Sequence, residues 1–310
     1  MSADDLISQL PDTPACFPYN LQIPNTYGYQ PSLAAGVTYV ILFGLSAVCH
    51  VVQAWQHRRR KQIPWLWTFV IGALYECIGW GGRLGAHYCA YSKVLFEMQI
   101  SSLIGAPAFT QLGIYALTYI FASLLGPSCS PLPIKPKIYL WTFLTIDLTC
   151  LILQAIGTKI MYGSILFQLV FTCLFGILFL VVVFRGRATV RNCQPLQTLV
   201  FATTFAIACM VARGVYRGLE LSEGWNGELI RTENYFIGLD GALMAAAVIV
   251  FNICNPGTLL ERAKEMRNRA KGESNDRVAD VEESKPASDE ESGLESNKSN
   301  ATAQRDKGSE

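Results

Sequence analysis

A series of apolar runs, each about as long as a bilayer core is thick, constrains this chain more than any other feature. A helix needs roughly 20 apolar residues to cross the hydrocarbon. By that rule the sequence divides into seven runs, at 32–55, 64–86, 98–125, 138–158, 160–184, 195–220 and 234–254. The first, third and fifth contain no Asp, Glu, Lys or Arg. Polar or turn-forming breaks separate them, among them His57-Arg58-Arg59-Arg60-Lys61, Pro127-Ser128-Cys129-Ser130-Pro131 and Glu223-Gly224-Trp225-Asn226-Gly227. The shortest break is Thr158 to Gly163, between the fourth and fifth runs. Pro107 falls in the middle of the third run, where a helix kink is expected. The implied fold class is all-α, a polytopic membrane protein of seven transmembrane helices.

The charge distribution points the same way. The 25 basic and 24 acidic residues sum to a net charge of +1. From Glu261 onward, however, the chain holds 10 basic and 13 acidic side chains, leaving 15 and 11 in residues 1 to 260. One charged residue in about ten is far below the roughly 25% of soluble domains, so the body cannot be covered with polar surface. The near-neutral total excludes nucleic acid as a partner, which needs a clustered basic excess. No Gly-x-x-x-x-Gly-Lys-Ser/Thr run occurs, so no nucleotide is expected to bind this chain. With 3 His and 10 Cys but no Cys-x-x-Cys pair, no metal site and no cofactor are expected.

Lys and Arg concentrate in cytoplasmic loops. Taken alternately, one set of breaks holds fourteen of them, from Arg58 through Lys271, and the other set only Lys93, Lys159 and Arg231. The N-terminus is therefore expected outside and the C-terminus in the cytoplasm. The domains expected are an extracellular segment 1–30, a seven-helix domain 31–257 and a cytoplasmic charged tail 258–310, disordered from about 272. Residues 1 to 20 show no signal peptide, so the first helix directs insertion. The sequons at Asn297 and Asn300 would lie in the cytoplasm and stay unmodified. Cys16 and Cys89 both fall outside, where a disulfide is open to them.

Ionisable residues inside the spans are the candidates for function, since charge at membrane depth persists only when paired or facing water. Glu76/Arg83, Asp147/Gln154, Arg213/Glu220 and Glu233/Asp240 are each seven residues apart, which puts both members on one helix face about 10 Å apart. Arg217 joins the same set. These polar faces should turn inward around a cavity open to the exterior. Five carboxylates against three guanidiniums leave two negative charges for a cationic ligand or for protons. Two readings stand side by side: buried structural pairs that fix helix register, with Arg83 and Arg217 as struts, or ligand contacts. Asp147 and Asp240 lean to the second, because neither has a basic residue on its own helix. His50 and His87 fit helix ends, and Trp65, Trp67 and Trp80 an interfacial belt.

These residues occur in an order that resembles a family. Tyr29-Gln30-Pro31-Ser32 comes first, then Glu76-x-x-Gly79-Trp80-x-x-Arg83 and Ala106-Pro107-Ala108-Phe109 with Tyr115. Asp147 with Gln154 and Gly157 follows, then Arg213-x-x-Tyr216-Arg217-x-x-Glu220 with Gly224, Gly227 and Glu233, then Asp240 and Asn255-Pro256-Gly257. The set is similar to the fungal RTA-like family, also called lipid-translocating exporters. The resemblance implies a seven-helix plasma-membrane protein, not an enzyme, whose partners are membrane lipids and whose substrate is an amphipathic lipid or lipophilic toxin. Sphingoid long-chain bases and aminosterols are the implied cargo. Glu76, Asp147, Asp240 and Gln154 would then bind substrate, while Arg83, Arg213, Arg217, Glu220 and Glu233 form a structural or gating network. Gly72, Gly79, Gly81 and Gly82, with Pro107, would permit helix movement.

A seven-helix receptor-like sensor, or a regulator of membrane stress and of other transporters' turnover, is the alternative. The common receptor signatures are absent at Tyr119-Ile120-Phe121-Ala122 and after Asn255-Pro256-Gly257. A retinal protein is excluded because the seventh run has no Lys, and a zinc lipid amidase is disfavoured by the scarcity of His.

Overall fold

The computed structural model describes residues 16, 19, 25–57, 65–125, 136–154, 158–224 and 227–283. It is 89% helical, with no strand among the described residues. Seven long helices follow one another: α1 Leu33–Gln56, α2 Leu66–Tyr88, α3 Lys93–Leu125, α4 Pro136–Gln154, α5 Thr158–Arg185, α6 Gln194–Ser222 and α7 Glu233–Ile253. Each corresponds to one apolar run. α3 starts at Lys93, ahead of its run, because Lys93 and Glu97 break the apolar pattern without breaking the helix. The break expected at Thr158 to Gly163 is instead helical, as the first turns of α5; residues 155–157 lie outside the described residues. So do the four basic residues after His57.

Five helices are long and apolar enough to cross a membrane: α1, α3, α5 from Ile160, α6 and α7. The apolar part of α4, Leu140–Gln154, is shorter. α2 has 23 residues, but Glu76, Arg83 and its glycines make it less apolar. The chain is thus a multi-pass membrane protein. Its exposed large side chains, such as Ile41, Leu45, Trp141, Phe167, Ile177 and Phe201, form the outward apolar faces that lipid requires.

Every long helix packs on its chain neighbours, and α7 returns to α1, closing the seven into a ring. α2 and α3 approach most closely, and glycine is the reason. A Cβ on Gly79 would lie 2.6 Å from Leu103 Cδ2, and one on Gly72 only 2.5 Å from Thr110 Oγ1. Backbones pressed together through small residues are the standard solution where water provides no drive for helix association. These glycines are therefore packing positions. Trp80 is likewise in the interior, packed between the tilted rings of Tyr39 and Phe236, and not in the interfacial belt expected of it. His50, expected at a helix end, is buried against Phe69 and bonded to Gln53.

The chain divides into two units, Met1–Arg262 and Ala263–Glu310. A further helix, α8 Pro256–Glu283, runs past position 272, where composition indicated disorder. The run from Glu261 to Glu283 is rich in Ala, Glu, Arg and Lys, which favour helix even when polar on all sides.

Candidate functional site

The charged residues of α2, α6 and α7 meet in one interior cluster. Arg213 and Arg217 lie one turn apart on α6, and each brings its Nε within 2.9 Å of Asp240 Oδ1. The Arg217 contact is an aligned hydrogen bond; that of Arg213 is an ion pair without hydrogen-bond alignment. Arg217 also donates to Glu220 Oε2 at 2.9 Å, and Tyr216 donates to the other oxygen of Glu220. Arg83 donates to Glu233 Oε1 and to the Tyr29 hydroxyl. Phe236 sits between Arg83 and Arg217, 4.5 and 5.3 Å from its ring centre, and its π face compensates part of their lost hydration.

Asp240 reaches α6 from an unusual stretch of backbone. Residues Phe236–Ala242 form a π-helical turn, a local widening that recurs at functional sites. Gly241 lets that turn close on α2, since a Cβ there would lie 2.5 Å from the Trp80 ring. Tyr39 of α1 donates to the Ile237 carbonyl within it at 2.8 Å.

Pro107 has a specific consequence. In a helix the N–H of residue 107 would bond the carbonyl of residue 103, and proline has no N–H to give. The Leu103 carbonyl instead accepts from Arg213 at 2.8 Å. The proline thus frees the acceptor that fastens α3 to the charged cluster. α3 continues on both sides of it.

The segment before α1 covers this end of the cluster. Glu233 Oε1 accepts from the Ser32 backbone N–H at 2.7 Å as well as from Arg83. Tyr27 is buried and donates to Gln99 Oε1 on α3. Burial pushes the Tyr27 phenol above the ordinary tyrosine value and shifts Tyr29 the same way, while Arg83 pulls against burial at both. Both therefore act as neutral hydroxyls. A disulfide joins Cys16 to Cys89, Cα to Cα 4.3 Å, and His87 Nδ1 lies 2.7 Å from the Pro31 carbonyl.

Two carboxylates stand apart from the pairs. Glu76 is fully buried with no hydrogen-bond partner on either oxygen, although Arg213, Arg217 and Asp240 lie within electrostatic reach. Asp147 accepts from the Tyr115 hydroxyl at 2.8 Å through one oxygen, and its other oxygen is unpartnered. Hence the two surplus carboxyl groups counted in the sequence are Glu76 and Asp147, and Asp240 takes both its cations from α6.

A cavity of about 140 Å³ opens among α3, α5 and α6, with Gln154 of α4 and the Tyr27–Tyr29 segment at its edge. Its wall carries Arg83, Arg213, Arg217 and Glu220, with Gln99, Gln111, Gln154 and Gln168. Among these stand apolar side chains, including Ile100, Ile104, Pro107, Met161, Ile165, Leu169 and Met210. Of the residues expected to bind substrate, Gln154 lines it; Glu76, Asp147 and Asp240 do not. Three further glutamines and Tyr27 were not singled out from the sequence, and Tyr29 only as part of the motif Tyr29-Gln30-Pro31-Ser32. Their signal was present, since an amide inside an apolar run is as conspicuous as a charge. Among the described residues no group of His, Cys, Asp and Glu is placed to hold a metal.

Membrane-length helices ringed about an interior site of paired charges, amides and apolar side chains define a multi-pass integral membrane protein. The RTA1 like protein family matches residues 69–263, and the chain belongs to that family. The sphingoid long-chain base transporter RSB1 of Saccharomyces cerevisiae is 26% identical over 283 residues, covering 74% of this chain and 73% of that protein. The probable lipid transporter atnI of Emericella nidulans is 24% identical, covering 84% and 77%. Protein RTA1 of Saccharomyces cerevisiae is also 24% identical, covering 74% and 84%. No solved structure matches the chain.

Proposed function

We propose that this chain is a non-catalytic transporter of amphipathic lipids in the plasma membrane, of the kind two of its relatives are named for. In this reading all seven long helices span the bilayer, residues 1–30 are extracellular, and residues 258–310 are cytoplasmic. The observation that carries it is the cavity of mixed polar and apolar lining among α3, α5 and α6. A lipid headgroup needs hydrogen-bonding partners once it leaves water, and its tail needs apolar contact throughout; this wall offers both. Long-chain bases, with a small polar head on one apolar tail, suit that shape.

The charged cluster supports the cavity and does not serve as a free ionic site. All three guanidiniums are engaged by Asp240, Glu220 or Glu233, so a cationic headgroup would have to displace an arginine to gain one of these three carboxylates. Arg83, Arg213, Arg217, Glu220, Glu233 and Asp240 then form the framework, and Gln154 is the binding residue among those singled out from the sequence.

The test is flux. Purified protein in sealed vesicles should move a fluorescent long-chain base between leaflets faster than protein-free vesicles do. Equal rates in the two preparations would sink the transporter reading. Epitope tags should be reached in intact cells at the N-terminus and only after permeabilisation at the C-terminus.

A further inference from the structure

We infer that the cavity recognises the hydroxyl groups of an amphipathic amino-alcohol or polyol headgroup through glutamine amides, and does not select for an ammonium. The inference deepens the transporter reading and rests on it for the class of ligand.

Four glutamines from three helices line one small cavity: Gln99 and Gln111 of α3, Gln154 of α4 and Gln168 of α5. An amide taken from water without partners costs several kcal/mol in an apolar medium, so four around one space require partners there. Three already have one. Gln154 Nε2 donates to Gln168 Oε1 at 2.9 Å, and Gln99 Oε1 accepts from Tyr27. Gln111 is 3% exposed and its Nε2 has no partner; the Tyr115 hydroxyl is near it but not in hydrogen-bond geometry. Gln111 lines the cavity, and a turn of its amide toward that space would give the unpartnered donor a ligand acceptor.

Charge complementarity favours the same class. The charged groups in the wall are Arg83, Arg213, Arg217 and Glu220. Glu220, the one carboxylate among them, already accepts from Arg217 and Tyr216. An ammonium finds no unengaged anion in this wall. A hydroxyl both donates and accepts, and an amide offers one partner of each kind, so a head bearing two or three hydroxyls can bond to several glutamines at once.

Three lipids of equal chain length separate the alternatives on the unmodified full-length protein: sphinganine (an amino-diol), octadecane-1,2-diol (hydroxyls only) and octadecylamine (ammonium only). Each is made to compete for the purified protein against labelled sphinganine. The diol should compete within a few-fold of the amino-diol, and octadecylamine roughly tenfold or more worse, the effect of losing one or two neutral hydrogen bonds. Gln111→Leu and Gln168→Leu should weaken the amino-diol and the diol about tenfold each and leave octadecylamine unchanged. Octadecylamine competing as well as sphinganine, or no displacement by the diol, overturns the inference; so does failure of labelled sphinganine to bind. Because the lipid comparison needs no variant, it stands even if a glutamine substitution prevents folding. The expected hierarchy without flux in sealed vesicles would refute transport and leave the amide site intact.

Discussion

Asp240 and Glu76 are both wholly shielded from solvent in the interior of the ring, one on α7 and one on α2. Asp240 holds two arginines of α6 on a single oxygen, whereas Glu76 has no hydrogen bond on either oxygen. The same side-chain chemistry therefore serves two ends. A paired buried charge fixes the register of the helices that supply the pair, and its loss leaves partners stranded. An unpaired one holds no helix by a hydrogen bond, so removing it breaks none. The contrast shows that intramembrane charges in this chain cannot be treated as one class.

The largest effect should come from breaking the better-paired side. Asp240→Asn leaves Arg213 and Arg217 facing each other without their shared anion, and should cost about 3–5 kcal/mol. It would appear as a large drop in melting temperature in detergent and in surface expression. Glu233→Gln strips Arg83 of its carboxylate and weakens the acceptor for the Ser32 amide at the start of α1. A loss of roughly 2–3 kcal/mol is expected, partly recovered when Arg83→Leu is added, because the stranded charge is then gone.

A smaller effect tests the link through proline. Arg213→Lys cannot reach both Asp240 and the Leu103 carbonyl with one ammonium, and should cost about 1–2 kcal/mol. With Pro107→Ala the helix regains its own donor to that carbonyl, so the two substitutions should be less than additive in a double-mutant cycle; strict additivity would mean that the Arg213 contact contributes nothing. Asp147→Asn keeps an oxygen for the Tyr115 hydroxyl and should cost about 1 kcal/mol or less. Glu76→Gln comes last, within about 1 kcal/mol of the parent and on the stabilising side. A loss from Glu76→Gln as large as that from Asp240→Asn would erase the distinction between the two carboxylates.

Much of the fold is legible in the sequence, because the apolar period and the breaks between runs are local properties. The inward faces of α2 and α6 are legible too: Glu76 with Arg83, and Arg213 with Glu220, are buried as their spacing of seven requires. Partnership is not legible, because it is decided between helices. The absence of a basic residue on their own helices put Asp147 and Asp240 together as ligand contacts; the fold gives one a tyrosine and the other two arginines. Composition counted two surplus carboxylates but could not say that Glu76 would be one of them. Gln99, Gln111 and Gln168 escape notice because a search for charge ignores neutral amides, which carry hydrogen-bonding demand at membrane depth without any formal charge. The role of Tyr27 and Tyr29 needed the chain before α1 to fold back over α2 and α3, and no periodicity encodes that.

The π-helical turn at Phe236–Ala242 also bears on which changes in length this chain can tolerate. One residue of α-helix corresponds to about 100° of rotation, and a widened turn absorbs one residue without disturbing the helix beyond it. Deleting one residue within that turn would restore ordinary helix and rotate the head of α7 against its tail by about that angle. Asp240 would then turn off Arg213 and Arg217, while Asn252, whose side chain and carbonyl meet Ser46 and Gln53 of α1, stayed in place. The turn acts as a register adjuster: it lets one helix hold Asp240 against the arginines of α6 and Asn252 against α1 at once, and it makes the length of this short stretch as constrained as the identity of any charge in it.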